Sequence, residues 1–439
     1  MIYPIVNILR KSQAIILNPY VLCSYITTLV VLTGFLGFAP FTDCHVHAAV
    51  IDQRTTGKSI INVKDAGAVG NGVSDDTTAV LKALASITPT NNTIYFPEGT
   101  YKITKSVRLP SNVRLQGSGP GSRLVMGKSL RNGIFSALDQ SNITISGLSF
   151  EGTGVELKKN TTERLLFFNK CSLVKINDCE AVNTIIAFQG QSCVGMSVTS
   201  CYVHDIKHRI DYSQGYGLLF NLSCNDIVVS KNRFYKIGRH AIYVSSGTSN
   251  TKITDNVVDG CESSAISVYS KSHQAVVDNI LIARNDIKNV SGRVSPRGIS
   301  IAVWCKNLTV RNNKIFNVQQ YGIAVEGGAD EEMHHNPSNI TIEENIIQKC
   351  SSAGVWVVNA SSVTVKKNLI DAKSGIIAST AGKLQGSYLK SFSALDNTIT
   401  YQKYGILLAE KSKGVELEVR GNIFKTDLAR TRDIVHVNK

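Results

Sequence analysis

Three residues whose types could move a proton or neutralise a carboxylate share one register of this chain. His240 immediately precedes Ala241, Tyr243 follows Ala241 by two, and Arg297 immediately precedes Gly298. His and Tyr can act as general base or acid, and Arg can neutralise a carboxylate. Arg239 is a second cation in sequence contact with His240. The same register gives Tyr216, Tyr269, Tyr321, Glu326 and Trp356 as candidate substrate-binding residues, since flat aromatic rings offer stacking platforms to sugars. The segment from Tyr202 to Tyr212 is dense in polar and aromatic residues and adds His208, Arg209 and Asp211 to the candidates. A second insertion, Glu326 to Asn339, carries Asp330, Glu331, Glu332, His334 and His335. Long loops on a rigid scaffold often build sites.

The elements that would position these residues are written as a repeat. An aliphatic residue, two polar residues, Asn, any residue and an apolar residue recur at Asn232, Asn256, Asn285, Asn313, Asn345, Asn368, Asn397 and Asn422. The steps are 24, 29, 28, 32, 23, 29 and 25 residues. Cys179 and Cys201 stand at the same position of earlier copies, and Leu148 before them. Between consecutive asparagines lies a second phrase, a small residue followed by alternating aliphatics, as in Gly217–Phe220, Ala241–Val244, Ala265–Val268, Gly298–Ile301 and Gly322–Val325. Period-2 alternation buries the aliphatics and turns the intervening residues outward. A drifting period of this size with strand chemistry predicts an all-β solenoid of stacked turns, a parallel β-helix of about eleven turns. Asn suits its corner because it tolerates left-handed backbone and its amide can bond the next Asn in the stack. The outward stripe then places His240 and Arg297 two turns apart, about 10 Å at a spacing of about 4.8 Å per turn.

The 439 residues accordingly divide into 1–49, an apolar N-terminal segment; 50–93, with a capping helix near 75–87; 94–424, the β-helix; and 425–439, a basic tail. The first segment has Arg10 and Lys11 before an apolar run from Tyr20 to Phe41 and small residues at Ala48 and Ala49. That pattern predicts an export signal or, if uncleaved, an N-terminal membrane anchor, and so a periplasmic or extracellular location. The predicted helix has Val80, Leu81, Leu84 and Ile87 as its apolar face and would close the open end of the solenoid, with Ser74 or Asp75 as its cap.

The net charge is +14. Such an excess is either a solubilising surface or the complement of a polyanion, and an acidic polysaccharide is the expected partner. No Arg-rich helix, finger or aromatic-basic module points to nucleic acid. Of the ten cysteines, Cys171, Cys193, Cys224 and Cys305 each lie eight residues before the corner of their own turn. That equivalence predicts stacked, inward, unpaired thiols. No Cys-x-x-Cys occurs, and neither a metal site nor a cofactor is expected. A calcium ion would suit a polyanion site, although no ligand motif asks for one.

Gly67-Ala-Val-Gly-Asn-Gly-Val-Ser-Asp-Asp-Thr77, Phe96-Pro-Glu-Gly-Thr-Tyr101 and the Asn corners together resemble the pectate-lyase-like superfamily of right-handed β-helices. That superfamily holds polysaccharide lyases, polygalacturonase-like hydrolases, uronate epimerases and phage tailspikes. The resemblance implies the right hand, which spacing alone does not show, and action on a polysaccharide. The hydrolases' Asn-Thr-Asp, Gly-Asp-Asp, Gly-His-Gly and Arg-Ile-Lys are all absent, as is the alginate epimerases' Asp-Pro-His-Asp. The reaction favoured by the stripe is therefore β-elimination by a polysaccharide lyase, or the related C5 epimerisation. A hydrolase needs two carboxyls about 5–9.5 Å apart, and only Glu326 stands on the stripe, with Asp205 or Asp211 as a distant second. A protein that binds polysaccharide without catalysis is the third reading.

Overall fold

The computed structural model describes residues 60–438, apart from 129, 131, 156, 159–160, 329–335, 381–388, 411–414 and 427–431. The N-terminal apolar segment and the acidic and histidine residues at 330–335 thus lie outside the described residues.

Hydrophobic strands that alternate inward and outward stack in register, each turn pairing with the next in parallel. One face is a sheet of fourteen parallel strands. Two further ladders form the other sides and fuse at the long strand Ile346–Val358, which pairs with both Lys314–Val318 and Tyr321–Glu326. The result is a β-solenoid of about twelve turns, one more than the spacing predicts. Its interior is a continuous column of Ile, Val, Leu and Phe. Near the start, Phe96, Phe135, Phe150 and Phe188 meet edge to face at 6.1–6.4 Å between successive centroids, the geometry their ring quadrupoles favour.

The asparagines form one buried column. Asn232 donates its backbone N–H and its Nδ2 to Oδ1 of Asn256, at 3.0 and 2.9 Å. The same pair of bonds links Asn256 to Asn285, Asn285 to Asn313, Asn313 to Asn345, Asn345 to Asn368, Asn368 to Asn397 and Asn397 to Asn422. The left-handed residue of each corner is the one before the asparagine, as at Lys231, Asp255, Arg284, Asn312 and Glu344. The ladder positions therefore need Asn for its amide and not for its backbone freedom.

Helix α1 (Thr77–Ala85) is shorter than expected, and of its expected apolar face Val80 and Leu84 are buried and Ile87, just past its end, packs against the core. Thr77, Ala79, Val80, Ala83 and Leu84 are buried, whereas Leu81 is exposed, because it falls on the side of the helix turned away from the solenoid. The N-cap position falls to Asp76, whose side chain makes no bond to the helix. Its carboxylate instead takes the N–H groups of Val69 and Gly70 at 2.7 and 3.1 Å. Asp75 accepts from Thr77 N at 3.0 Å. Asp76 is thus committed to folding the Gly-rich loop, and Asp75 to Thr77 at the start of the helix and to Thr104.

The eight described cysteines are buried and unpaired. The boundaries at each end also move. Ile60–Asn62 and Asn71–Asp75 already pair with the first solenoid strands. Arg432–Asn438, expected as a tail, continues the last ladder beside Thr398–Glu410.

Candidate functional site

Six successive strands of one ladder carry the site: β1 (Tyr216–Asn221), β2 (His240–Ser245), β3 (Ser264–Tyr269), β4 (Arg297–Ile301), β5 (Tyr321–Glu326) and β6 (Ile346–Val358). Their inward residues enter the core, and their outward residues line up across turns. Tyr216 is paired with His240, Ser264 with Arg297, and Arg297 with Tyr321. Ser245 is paired with Tyr269, and Ala324 with Trp356.

A groove of about 840 Å³ runs over β1 to β5. Arg209, Tyr216, Arg239, His240, Tyr243, Tyr269, Arg297 and Glu326 all line it, over a floor of small residues that includes Ser264, Ser267 and Ser300. Arg209, Ser213 and Gln214 of the 207–214 loop, with Val294 and Ser295, line it ahead of the strands, and Leu222, Ser246 and Lys271 line it past their ends. Gly238 lets the 207–214 loop lie against the next turn, since a Cβ there would come within 2.5 Å of the His208 nitrogen.

At the N-terminal end of the groove, Tyr216 and His240 lie parallel, centroids 5.7 Å apart, and Tyr243 tilts against both at 5.2 Å. This packing leaves His240 only 6% exposed. Its Nδ1 donates to the carbonyl of Ser264 at 2.9 Å, which leaves Nε2 as the unprotonated nitrogen of the neutral ring. Burial, helped by the charges of Arg239 and Arg297, depresses the imidazole from 6.5 to about 3. Burial likewise raises the Tyr243 phenol well above its ordinary value. Arg239 is fixed by the Ser213 carbonyl and, at 3.0 Å, by the Tyr216 hydroxyl. Neither partner carries a negative charge.

Arg297 is different. Both of its terminal nitrogens meet the Glu326 carboxylate, one of them at 2.6 Å. Burial pushes the Glu326 acid up and the Arg297 guanidinium down, and each charge partly restores the other. Arg209 is likewise held by Asp211 through two bonds of 2.8 Å. That pairing, with Ser213, keeps the Asp211 carboxyl far below its usual range.

Four of the expected substrate contacts do not line the groove. Asp211 is spent on orienting Arg209. His208 faces a separate groove of about 420 Å³, stacked on Tyr212 at 4.2 Å. Tyr321 and Trp356 stack on each other at 4.4 Å next to the Arg297 turn, outside the lining. The expectation that Arg297 would present a free cation is overturned by its contact with Glu326. Conversely, Lys271 and Gln214 line the groove. Lys271 lies two residues past Tyr269, beyond the repeated phrase, and no periodic signal marks it. Asp205, a distant partner for a hydrolase, sits in the His208 groove and bonds His204 Nδ1 at 2.7 Å. Among the described residues no cluster of three or more His, Cys, Asp or Glu is arranged to hold a metal ion.

This architecture is a parallel β-helix with a groove along one outer face, and the family comparison agrees with the fold. The chain belongs to the right handed beta helix region family, which it matches over residues 128–287, 196–370 and 332–424. It is 30% identical over 149 residues to the preneck appendage protein of Bacillus phage PZA, covering 31% of this chain and 17% of that protein. The chain therefore matches less than a fifth of that relative's length. Two solved structures share the fold: the A-module of a mannuronan C-5 epimerase from Azotobacter vinelandii (TM-score 0.66, 19% identity, 83% of this chain and 99% of that one), and an exopolygalacturonase from Thermotoga maritima (TM-score 0.59, 14% identity, 84% and 92%).

Proposed function

We propose that this chain is a carbohydrate-active enzyme that binds an acidic polysaccharide in the groove and removes a proton from C5 of a uronate. The outcome is β-elimination, with C5 epimerisation as the related result. The observation that carries this reading is the composition of the groove: His240, Tyr243 and Arg239 converge at one end, and four cations line it against one carboxylate. The likeness in fold to a mannuronan C-5 epimerase and an exopolygalacturonase supports the polysaccharide class.

The roles follow from the proton positions. Tyr243 stays protonated across ordinary pH and is the acid. His240, with its proton locked on Nδ1, offers Nε2 as the base. The base takes the C5 proton, the electron pair becomes the C4–C5 double bond, the C4–O bond breaks and Tyr243 protonates the leaving oxygen. Arg239 would stabilise the charge that gathers on the uronate carboxyl. Burial and the neighbouring arginine charges make His240 by itself a weak base. A carboxylate brought beside Arg239 adds a negative charge there and strengthens it.

Hydrolysis is the poorer reading, because the single lining carboxylate, Glu326, is already tied to Arg297. The test is a panel of acidic polysaccharides read for unsaturated product at 235 nm and for reducing ends, with His240→Gln and Tyr243→Phe. Each variant should lose about 10²–10⁴-fold in rate with an unchanged thermal transition. Full activity in both would place the chemistry elsewhere.

A further inference from the structure

The groove is closed at the end that holds His240 and Tyr243. In the turn before β1, the strand Ile186–Gln191 carries Ile186 and Gln189 in the outward rows of Tyr216 and Leu219. Those rows lead on to His240 and Tyr243. On a bare solenoid face such outward positions would meet solvent. Here Ile186 is 1% and Gln189 3% exposed, and neither lines the groove. Leu157 is part of the cover. With Ile185, Ile186, Tyr216 and Leu219 it forms an apolar cluster separate from the solenoid core, and Tyr243 packs against that cluster. The described residues around Leu157 are tied down. Gly152 and Gly154 donate their N–H groups to the carbonyls of Val182 and Asn183 at 2.9 and 2.8 Å. The Thr153 hydroxyl donates to the Glu163 carboxylate at 2.5 Å. The Leu157 carbonyl accepts the Ile210 N–H at 3.1 Å, and the Thr162 hydroxyl donates to the Gln214 side chain at 3.0 Å. This wall and the 207–214 loop therefore hold each other in place.

In the other direction the floor stays low. Tyr243 is followed in its row by Ser267 and then Ser300. Those two turns span about 10 Å, roughly the length of two pyranose rings. Between β2 and the covered turn stands only β1, about 4.8 Å, roughly one ring.

We infer that the groove takes a chain end: the reacting uronate lies at His240 and Tyr243 within one sugar of the terminus, and the rest of the polymer runs across β3 and β4. This inference rests on the C5 chemistry proposed above. A sugar in the interior of a polymer needs room for chain on both sides, and the covered turn of Ile186 supplies none. β-Elimination would then free one or two sugars at each event, and epimerisation would invert sugars only at chain ends.

The experiment incubates the full chain with polymeric alginate, polygalacturonate and hyaluronan, and follows viscosity together with the size of the earliest products. Monosaccharides and disaccharides should outnumber longer products about tenfold while the viscosity barely falls. Where C5 is inverted without cleavage, NMR should find the inverted sugars at the termini. Leu157→Ala lowers the wall and should shift the early products to trisaccharides and longer. A steep loss of viscosity with long early oligomers, or inverted sugars in the chain interior, overturns the inference while leaving the C5 chemistry intact. No unsaturated and no inverted product from any of the three polymers removes the underlying reading instead. Product size from the unmodified chain decides the matter even if Leu157→Ala fails to fold.

Discussion

His240 shows how far a single residue can be read from its register. Its outward position was legible, because period-2 alternation around Ala241 leaves no other side for it. Its burial was not, because the cover comes from Tyr216 one turn away and from Tyr243. The consequence is a testable pH dependence. The folded imidazole titrates near 3 and a solvated one near 6.5. Between those values the unfolded chain binds a proton that the folded chain does not, so this contribution is fully present above about pH 6.5 and is lost as pH falls toward 3. Thermal or urea unfolding at pH 7 and pH 4 should show the folded state weakened at pH 4, and His240→Gln should flatten that slope. An identical slope in the variant would mean that His240 is hydrated and titrates normally. Arg297 teaches the converse lesson. Both it and Glu326 were legible as outward residues, but their closure on each other depends on a diagonal reach between neighbouring turns, which no spacing rule encodes.

At the scale of the element, the strands and corners were the most legible part of the chain, since each turn repeats the same two phrases. Helix α1 was legible in place and, for Val80, Leu84 and Ile87, in phase; Thr77 and Ala79 carry little hydrophobic signal yet face the core, and Leu81 carries much and faces water. The Asn ladder makes a sharp prediction. Asn285 Oδ1 accepts both the N–H and the Nδ2 of Asn256, and its own Nδ2 reaches Ile253 and Asn313. Asn285→Ala would orphan buried groups in two neighbouring turns, each costing about 1–3 kcal/mol. The unfolding free energy should therefore drop by roughly 3 kcal/mol or more. Asn422, partly exposed at the end of the column, should cost distinctly less, since water can replace its bonds. Equal losses at the two positions would mean that the column does not act as a buried network.

For the molecule as a whole, the sequence carries the solenoid, its excess of positive charge and its buried thiols, because these are sums over many turns. It carries the groove less well: the rim loops lie outside the repeat, and Lys271 and the 207–214 loop enter by folding over neighbouring turns. The thiols are checked directly. The eight described cysteines should resist a thiol reagent in the native protein and all react after unreduced denaturation. Recovery of fewer than eight would mean that some are paired. The central claim is that this groove takes a proton from C5 of a uronate. The most direct measurement is incubation of the unmodified chain with acidic polysaccharides in deuterated water, following C5 by NMR and unsaturated product at 235 nm. The account predicts loss of the C5 proton signal, either to a C4–C5 double bond or to deuterium at C5, abolished in His240→Gln. New reducing ends with C5–H intact would contradict it.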